Sequence, residues 1–240
     1  GAAHHRAAGT MIGLPALHRV PARWRWIRGG RITRPVHVAA SPYKTGTTSL
    51  GRALVMLGVG SAQMPYRTEA LRANRRAIRR MNRAADEAPD WAAFATEHGD
   101  EVRRALEGFT RSLAPYDVFP DAPFGHTHLH PFVKKVIAPE ARFIWVHREI
   151  PDWIASVRRW EEGHPGIYPR RAAEWAEDAR ARRRALRRIW ERRLTRFRRL
   201  SAAFPEDCLE VHLEALETMA PLCAFYGIED TGQAFPKQNV

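Results

Sequence analysis

Residues 36–50 read Val36-His37-Val38-Ala39-Ala40-Ser41-Pro42-Tyr43-Lys44-Thr45-Gly46-Thr47-Thr48-Ser49-Leu50, and this order of apolar, turn and hydroxyl residues sets the architecture to expect. Val36 to Ala40 is a short apolar run of the kind that forms a buried strand. Leu50, Ala53, Leu54 and Leu57 then recur at helical spacing, with Gly58 as a stop signal. A strand, a tight turn holding one Gly and one Lys, and a helix opening on three hydroxyls make an anion cradle. The first N–H groups of the helix point outward, and the macrodipole favours negative charge there. The spacing therefore predicts binding of a phosphate-like group by Lys44, Thr45, Gly46, Thr47, Thr48 and Ser49, with Lys44 placed to act on it. A nucleoside triphosphate P-loop does not fit, because G-x-x-x-x-G-K-[ST] needs its Lys directly after the last Gly. Here Lys44 precedes Gly46 by two residues.

Two further stretches carry chemistry. Ala141 to His147 (A-R-F-I-W-V-H) reads as a buried strand, followed by Arg148-Glu149-Ile150-Pro151-Asp152-Trp153-Ile154-Ala155-Ser156. A guanidinium at the C-terminal end of a strand suits bidentate phosphate binding, and a Ser in the following helix adds a hydroxyl donor. The plainer alternative is an Arg–Glu surface pair beside a helix start with Pro151 near its first position. Between the two sites, after an expected strand at Tyr116 to Phe119, lies Asp121-Ala122-Pro123-Phe124-Gly125-His126-Thr127-His128-Leu129-His130-Pro131. The alternation of His126, His128 and His130 would place all three on one face of a strand. A His there suits general-base work, since its ordinary pKa of about 6.5 lies near neutrality. Metal ligation and a purely structural role are the alternatives. The only two Cys, Cys208 and Cys223, lie far away in the chain, and no metal is expected.

Taken together, these motifs resemble the sulfotransferases that use 3′-phosphoadenosine 5′-phosphosulfate (PAPS). K-T-G-T-T is similar to their 5′-phosphosulfate loop, P-K-[ST]-G-T-[TS]-[LW], with Tyr43 inserted between Pro42 and Lys44. Arg148 and Ser156 stand eight positions apart, as in the family's R-D-P-x-D-x-x-x-S; Glu149 replaces the Asp and Pro151 is displaced by one residue. The resemblance implies that Arg148 and Ser156 hold the donor's 3′-phosphate. H-T-H-L-H-P resembles K-T-H-L-P of the cytosolic enzymes, which implies His128 as catalytic base and His126 in place of the family's Lys. A bacterial branch has D-x-P near this point, which would make Asp121 the catalytic residue instead. That branch also has K-T-G-T-T-S-L and a "PLCxFLGxP…FPxxN" ending, similar to Pro221-Leu222-Cys223-Ala224-Phe225-Tyr226-Gly227-Ile228 and Phe235-Pro236-Lys237-Gln238-Asn239.

Composition sets the outer limits. A chain of 240 residues, 45% hydrophobic with eight Trp, is long enough for a sizeable core. Gly1 to Thr10 reads as a tag remnant or disordered tail (1–12), and 13–240 as a single domain with helical insertions at about 61–113 and 165–204. No run reaches the ~20 apolar residues that span a bilayer, and no secretory signal is recognisable. With two Cys, a cytoplasmic protein is expected. The net charge of +13 is concentrated in Arg170 to Arg199, which holds 13 Arg against four acidic residues. Trp175, Ala179, Leu186, Trp190, Phe197 and Phe204 recur there at helical spacing, so a long amphipathic helix is expected. Its Arg face is a solvated surface or a positive wall for anions. Nucleic acid is disfavoured, because no helix-turn-helix, zinc-finger or RNA-recognition signature accompanies the charge. Thr68 to Ala85 and Trp91 to Leu113 are expected helical, separated at Pro89.

The expected fold is α/β: a P-loop-like three-layer arrangement with a central parallel sheet, its strands near 36–40, 116–119, 142–147 and 208–212. The expected activity is in-line transfer of a sulfuryl group from PAPS to a hydroxyl or amine of a small-molecule or carbohydrate acceptor, releasing 3′,5′-adenosine bisphosphate; a positive wall would suit an acidic acceptor. The alternatives are a nucleotide-dependent small-molecule kinase with a degenerate loop, and a silent nucleotide-binding protein.

Overall fold

The computed structural model describes residues 26–167 and 169–237. The expected tail at 1–12 and the last motif residues, Gln238 and Asn239, lie outside them. The first described element is an antiparallel ribbon of β1 (Ile27–Arg28) and β2 (Arg31–Ile32). Its turn residues Gly29 and Gly30 both have positive φ, as a two-residue hairpin requires.

The main sheet has four parallel strands in the order β4-β3-β5-β6: β3 (Val36–Ala39), β4 (Val118–Phe119), β5 (Ala141–His147) and β6 (Cys208–His212). Register runs from Val36↔Ala141 to Ala39↔Ile144, and from Phe143↔Cys208 to His147↔His212. All four strands therefore end at the same edge, and their following loops are neighbours there. The expected strand at Tyr116 to Phe119 narrows to Val118–Phe119.

Both faces are buried, as parallel sheets demand. Val36, Val38, Phe143 and Trp145 point into one core, while Ala39, Ile144 and Val146 point into the other. The smaller core is closed by α1 (Thr47–Met56) through Leu50, Ala53 and Leu54. The larger core takes up α2 (Glu69–Ala73), α3 (Arg75–Glu87), α4 (Trp91–Ala105) and α5 (Glu107–Leu113). It also receives α6 (Pro131–Ile137), α7 (Ile150–Gly163) and α8 (Pro169–Ala203). Finally α9 (Ala220–Tyr226) joins α1 on the smaller core through Leu222 and Cys223. The result is the expected three-layer α/β fold.

Three helical expectations are refined. Thr68 to Ala85 divides at Asn74, and Trp91 to Leu113 divides at Leu106. The Arg-rich helix is not continuous: Asp178 has φ −151° and ψ 82°, and its carboxylate accepts from Ala181 N at 2.8 Å. Asp178 thus caps the second segment, the position where a short acceptor side chain outcompetes helix continuation. Pro89 separates α3 from α4 as expected, and Asp90 caps α4 by accepting from Ala93 N.

Candidate active site

The phosphate-loop candidate lies between β3 and α1. Gly46 is the N-cap of α1 with φ 89°, and α1 carries no acidic residue in its first turn, so nothing competes with an incoming anion. A Cβ on Gly46 would sit 2.9 Å from a Leu213 side-chain carbon. Lys44 also has positive φ, 67°, a strained conformation for a non-Gly residue. Hydrogen bonds to two successive carbonyls hold it there. Arg148 Nη1 donates to Lys44 O at 3.1 Å, and Trp153 Nε1 donates to Tyr43 O at 2.8 Å. Lys44 Nζ lies 4.5 Å from the Trp160 ring centroid, a cation–π distance. Burial first, then Arg148 and Arg159, lower the Lys44 pKa.

The expected hydroxyl set divides by role. Thr45 Oγ1 is buried, donates to Pro42 O at 2.7 Å and lies 2.9 Å from Ser41 Oγ. It closes the turn, and only its backbone N–H is left for an anion. Thr47 Oγ1 is shared with His126 Nε2 at 3.1 Å. Thr48 is exposed and Ser49 is buried. Because β5 is the neighbour of β3, Arg148 enters beside the loop, and Ser156 is buried on the following helix, α7.

The third loop arrives from β4, on the other side of β3. Expectations for its histidines are overturned: residues 121–129 are a succession of turns and bends, not a strand. His126 has φ 53°, which breaks any extended alternation, and Gly125 is wedged so that a Cβ would lie 2.5 Å from Asp121 O. His126 N donates to Ala39 O, tying the loop to the end of β3. The three histidines consequently part. His130 is fully buried and caps α6, its Nδ1 accepting from Phe132 N at 3.0 Å, with Pro131 at the favoured first position. His126 is buried between Asp121 Oδ1, 3.1 Å from Nδ1, and Thr47. His128 is exposed, its backbone carbonyl held by Asn82.

Electrostatics follow the packing. Burial, followed by His128, Lys134 and Arg193, holds the His126 pKa well below its ordinary value. His128 is open to solvent at its edge but crowded by protein; desolvation and then Arg193, Lys134 and Arg171 push it down to about 4. Burial raises the Asp121 pKa, with the Ala122 N–H opposing. Both Ala122 N and His126 Nδ1 meet Oδ1 of Asp121, and among the described residues Oδ2 has no partner. Asp121, His126 and Thr47 thus form a carboxylate–imidazole–hydroxyl line that ends in the phosphate loop.

A model of the sulfotransferase domain family matches residues 38–240. The chain belongs to that family. A search of the curated proteins found no match to it. Among the described residues no group of three His, Cys, Asp or Glu side chains is placed to hold a metal ion, and no helix is long and apolar enough to cross a membrane.

Within this sulfotransferase domain, the network behind Tyr43 leaves no motif in the sequence. The Tyr43 hydroxyl donates to Glu161 Oε1 at 2.7 Å. Glu161 is fully buried and also receives Trp175 Nε1 at 2.8 Å and Arg182 Nη2 at 2.7 Å, with Arg171 at 3.4 Å. A carboxylate so deep in protein persists only when its acceptor sites are filled this way. The residue that breaks the P-K motif therefore moors the loop to α7 and α8.

Proposed function

We propose that this sulfotransferase-family protein moves a sulfuryl group from PAPS to a hydroxyl or amine acceptor. The observation that carries the reading is the convergence of three loops on one spot: Lys44 beside the amino end of α1, Arg148 clamped to Lys44 O, and Asp121 joined through His126 to Thr47, its Oδ2 without a partner among the described residues. The N–H groups of α1 and the hydroxyls of Thr47, Thr48 and Ser49 would bind the 5′-phosphate. Arg148 and Ser156 would bind the 3′-phosphate. The acceptor oxygen or nitrogen attacks sulfur, the bond from sulfur to the bridging phosphate oxygen breaks, and Lys44 neutralises the charge left on that oxygen. The acceptor proton passes to Asp121.

Asp121 is preferred to His128 as the base. Its Oδ1 is fixed and its raised pKa makes it a better proton acceptor than an ordinary carboxylate. The side chain of His128, by contrast, makes no hydrogen bond with the described residues of the loop. His126 orients Asp121, and His128 is displaced from the role the cytosolic resemblance implied. The test is to incubate the protein with PAPS and a panel of hydroxyl and amine acceptors and to follow release of 3′,5′-adenosine bisphosphate. Asp121→Asn should remove turnover and His128→Ala should spare most of it. The reverse pattern would return the base to His128, and consumption of ATP with Mg²⁺ in place of PAPS would favour the kinase alternative.

A further inference from the structure

Beside the proposed site lies a small cleft bordered by Ala40, His126, Lys134, Phe143, Arg193 and Arg196. Lys44, Arg148 and Ser156 do not line it. It belongs to the His126 side, away from the residues assigned to the donor phosphates.

Its charges do not balance. Arg196 is answered by Asp86 and Arg171 by Glu161. Lys134 is only 1% exposed, and its Nζ donates to the carbonyl oxygen of His126 at 2.6 Å, a neutral partner. Arg193 makes no hydrogen bond or ion pair among the described residues; its electrostatic neighbours are Arg192, Tyr43, Arg196 and Arg171. The crowding lowers both groups' proton affinity. Burial and then Arg193 push Lys134 down to about 7, and burial and then Arg192 push Arg193 down to about 10. Gathering positive charge inside a protein without a counter-charge is unfavourable unless an anion is to fill the place. The half-buried Arg193 and the buried Lys134 border the cleft together with Ala40 and Phe143, a set suited to a planar or tetrahedral oxyanion.

We propose that the acceptor is itself an anion, a carboxylate-, sulfate- or phosphate-bearing molecule, and that Arg193 and Lys134 hold its charged group in this cleft. This rests on the sulfuryl-transfer reading and narrows its acceptor class. Asp121 then faces the nucleophile while the anionic group is fixed on the far side of His126.

The test uses inorganic sulfate as the probe, titrated calorimetrically into the full chain already saturated with 3′,5′-adenosine bisphosphate, so that the phosphate loop is blocked. Sulfate should still bind. Arg193→Gln should weaken it at least tenfold, while Arg192→Gln, which removes the same charge from an exposed neighbour, should change it less than twofold. In sulfate-free buffer Arg193→Gln should melt at or above the parent temperature, because it removes an unanswered charge, and should lose the rise that sulfate gives the parent. Equal weakening by both variants, absence of sulfate binding, or a lowered melting point for Arg193→Gln that sulfate still restores would overturn the proposal. Should the bisphosphate fail to bind, the donor reading falls on its own, and sulfate is titrated into the unliganded chain. Loss of binding in Lys44→Ala but not in Arg193→Gln would then place the anion in the loop and overturn the cleft as well. Loss in Arg193→Gln but not in Lys44→Ala would uphold it.

Discussion

Lys44 is held in a left-handed backbone conformation by hydrogen bonds from Arg148 to its own carbonyl and from Trp153 to that of Tyr43, and its ammonium lies near Trp160 and Arg148 with no carboxylate partner among the described residues. An ammonium held this way is available to a group that becomes negative during reaction. Lys44→Ala should therefore lower kcat by about 10²–10³-fold, the usual loss for one charge-stabilising donor, while binding of 3′,5′-adenosine bisphosphate weakens far less. Unchanged turnover in this variant would remove Lys44 from the mechanism. The two shifted groups also set a pH profile. Asp121 must be deprotonated, and its pKa lies above the ordinary 3.8, so activity falls as pH drops through that raised value. Lys44 must be protonated, and its pKa lies below the ordinary 10.5, so activity falls again as pH rises through that lowered value. A plot of kcat/KM against pH should be a bell narrower than the window between 3.8 and 10.5; an alkaline limb at or above 10.5 would contradict the assignment. The places of Lys44 and Arg148 beside strand ends could be read from the sequence, and the place of Ser156 in the following helix was implied by the family resemblance. The choice among Asp121, His126 and His128 could not, since it turns on the backbone reversal at His126, which leaves no periodic trace. Glu161 was equally hidden: nothing in Trp160-Glu161-Glu162 distinguishes the fully buried carboxylate from its half-exposed neighbour.

At the scale of elements, α7 and α8 brace the loop. Glu161 joins Tyr43 of the loop to Trp175 and Arg182 of α8. Glu161→Ala takes the buried partner from Tyr43, Trp175 and Arg182 and leaves Arg182 only the exposed Glu174 at 3.2 Å; it should cost about 3–5 kcal/mol of stability, measured by urea denaturation. Tyr43→Phe keeps the ring and removes one hydrogen bond, so its loss should be near 1 kcal/mol. If the two variants lose equal stability, Glu161 is not the hub. The apolar stripe of α8 is a separate contribution. Trp190 is 3% exposed and packs on Trp145 and Trp153 at ring separations of 5.5 and 4.9 Å. Trp190→Ala should destabilise by about 3–5 kcal/mol. The stripe was legible from its helical spacing. The break at Asp178 was not, because an acidic residue on the exposed side of a helix and an acidic residue capping a new one look alike in sequence.

For the whole molecule, the strand order β4-β3-β5-β6 is what makes a site. It sets the loop after β3 between those after β4 and β5, so that a candidate base and a candidate 3′-phosphate ligand flank one phosphate cradle. The short apolar run Val36 to Ala40 made the central strand recognisable, but strand order depends on contacts across the chain that local patterns do not encode. Part of the excess positive charge serves the same end: the half-buried Lys44, Arg148 and Arg193 and the buried Lys134 lie around the places assigned to anions. The claim on which everything else depends is that this cradle takes a 3′-phosphorylated nucleotide. Calorimetric titration with 3′,5′-adenosine bisphosphate, set beside 5′-AMP and ATP, tests it most directly. The predicted result is micromolar binding that needs the 3′-phosphate and is indifferent to Mg²⁺. Absence of binding, or tighter Mg²⁺-dependent binding of ATP, would contradict it.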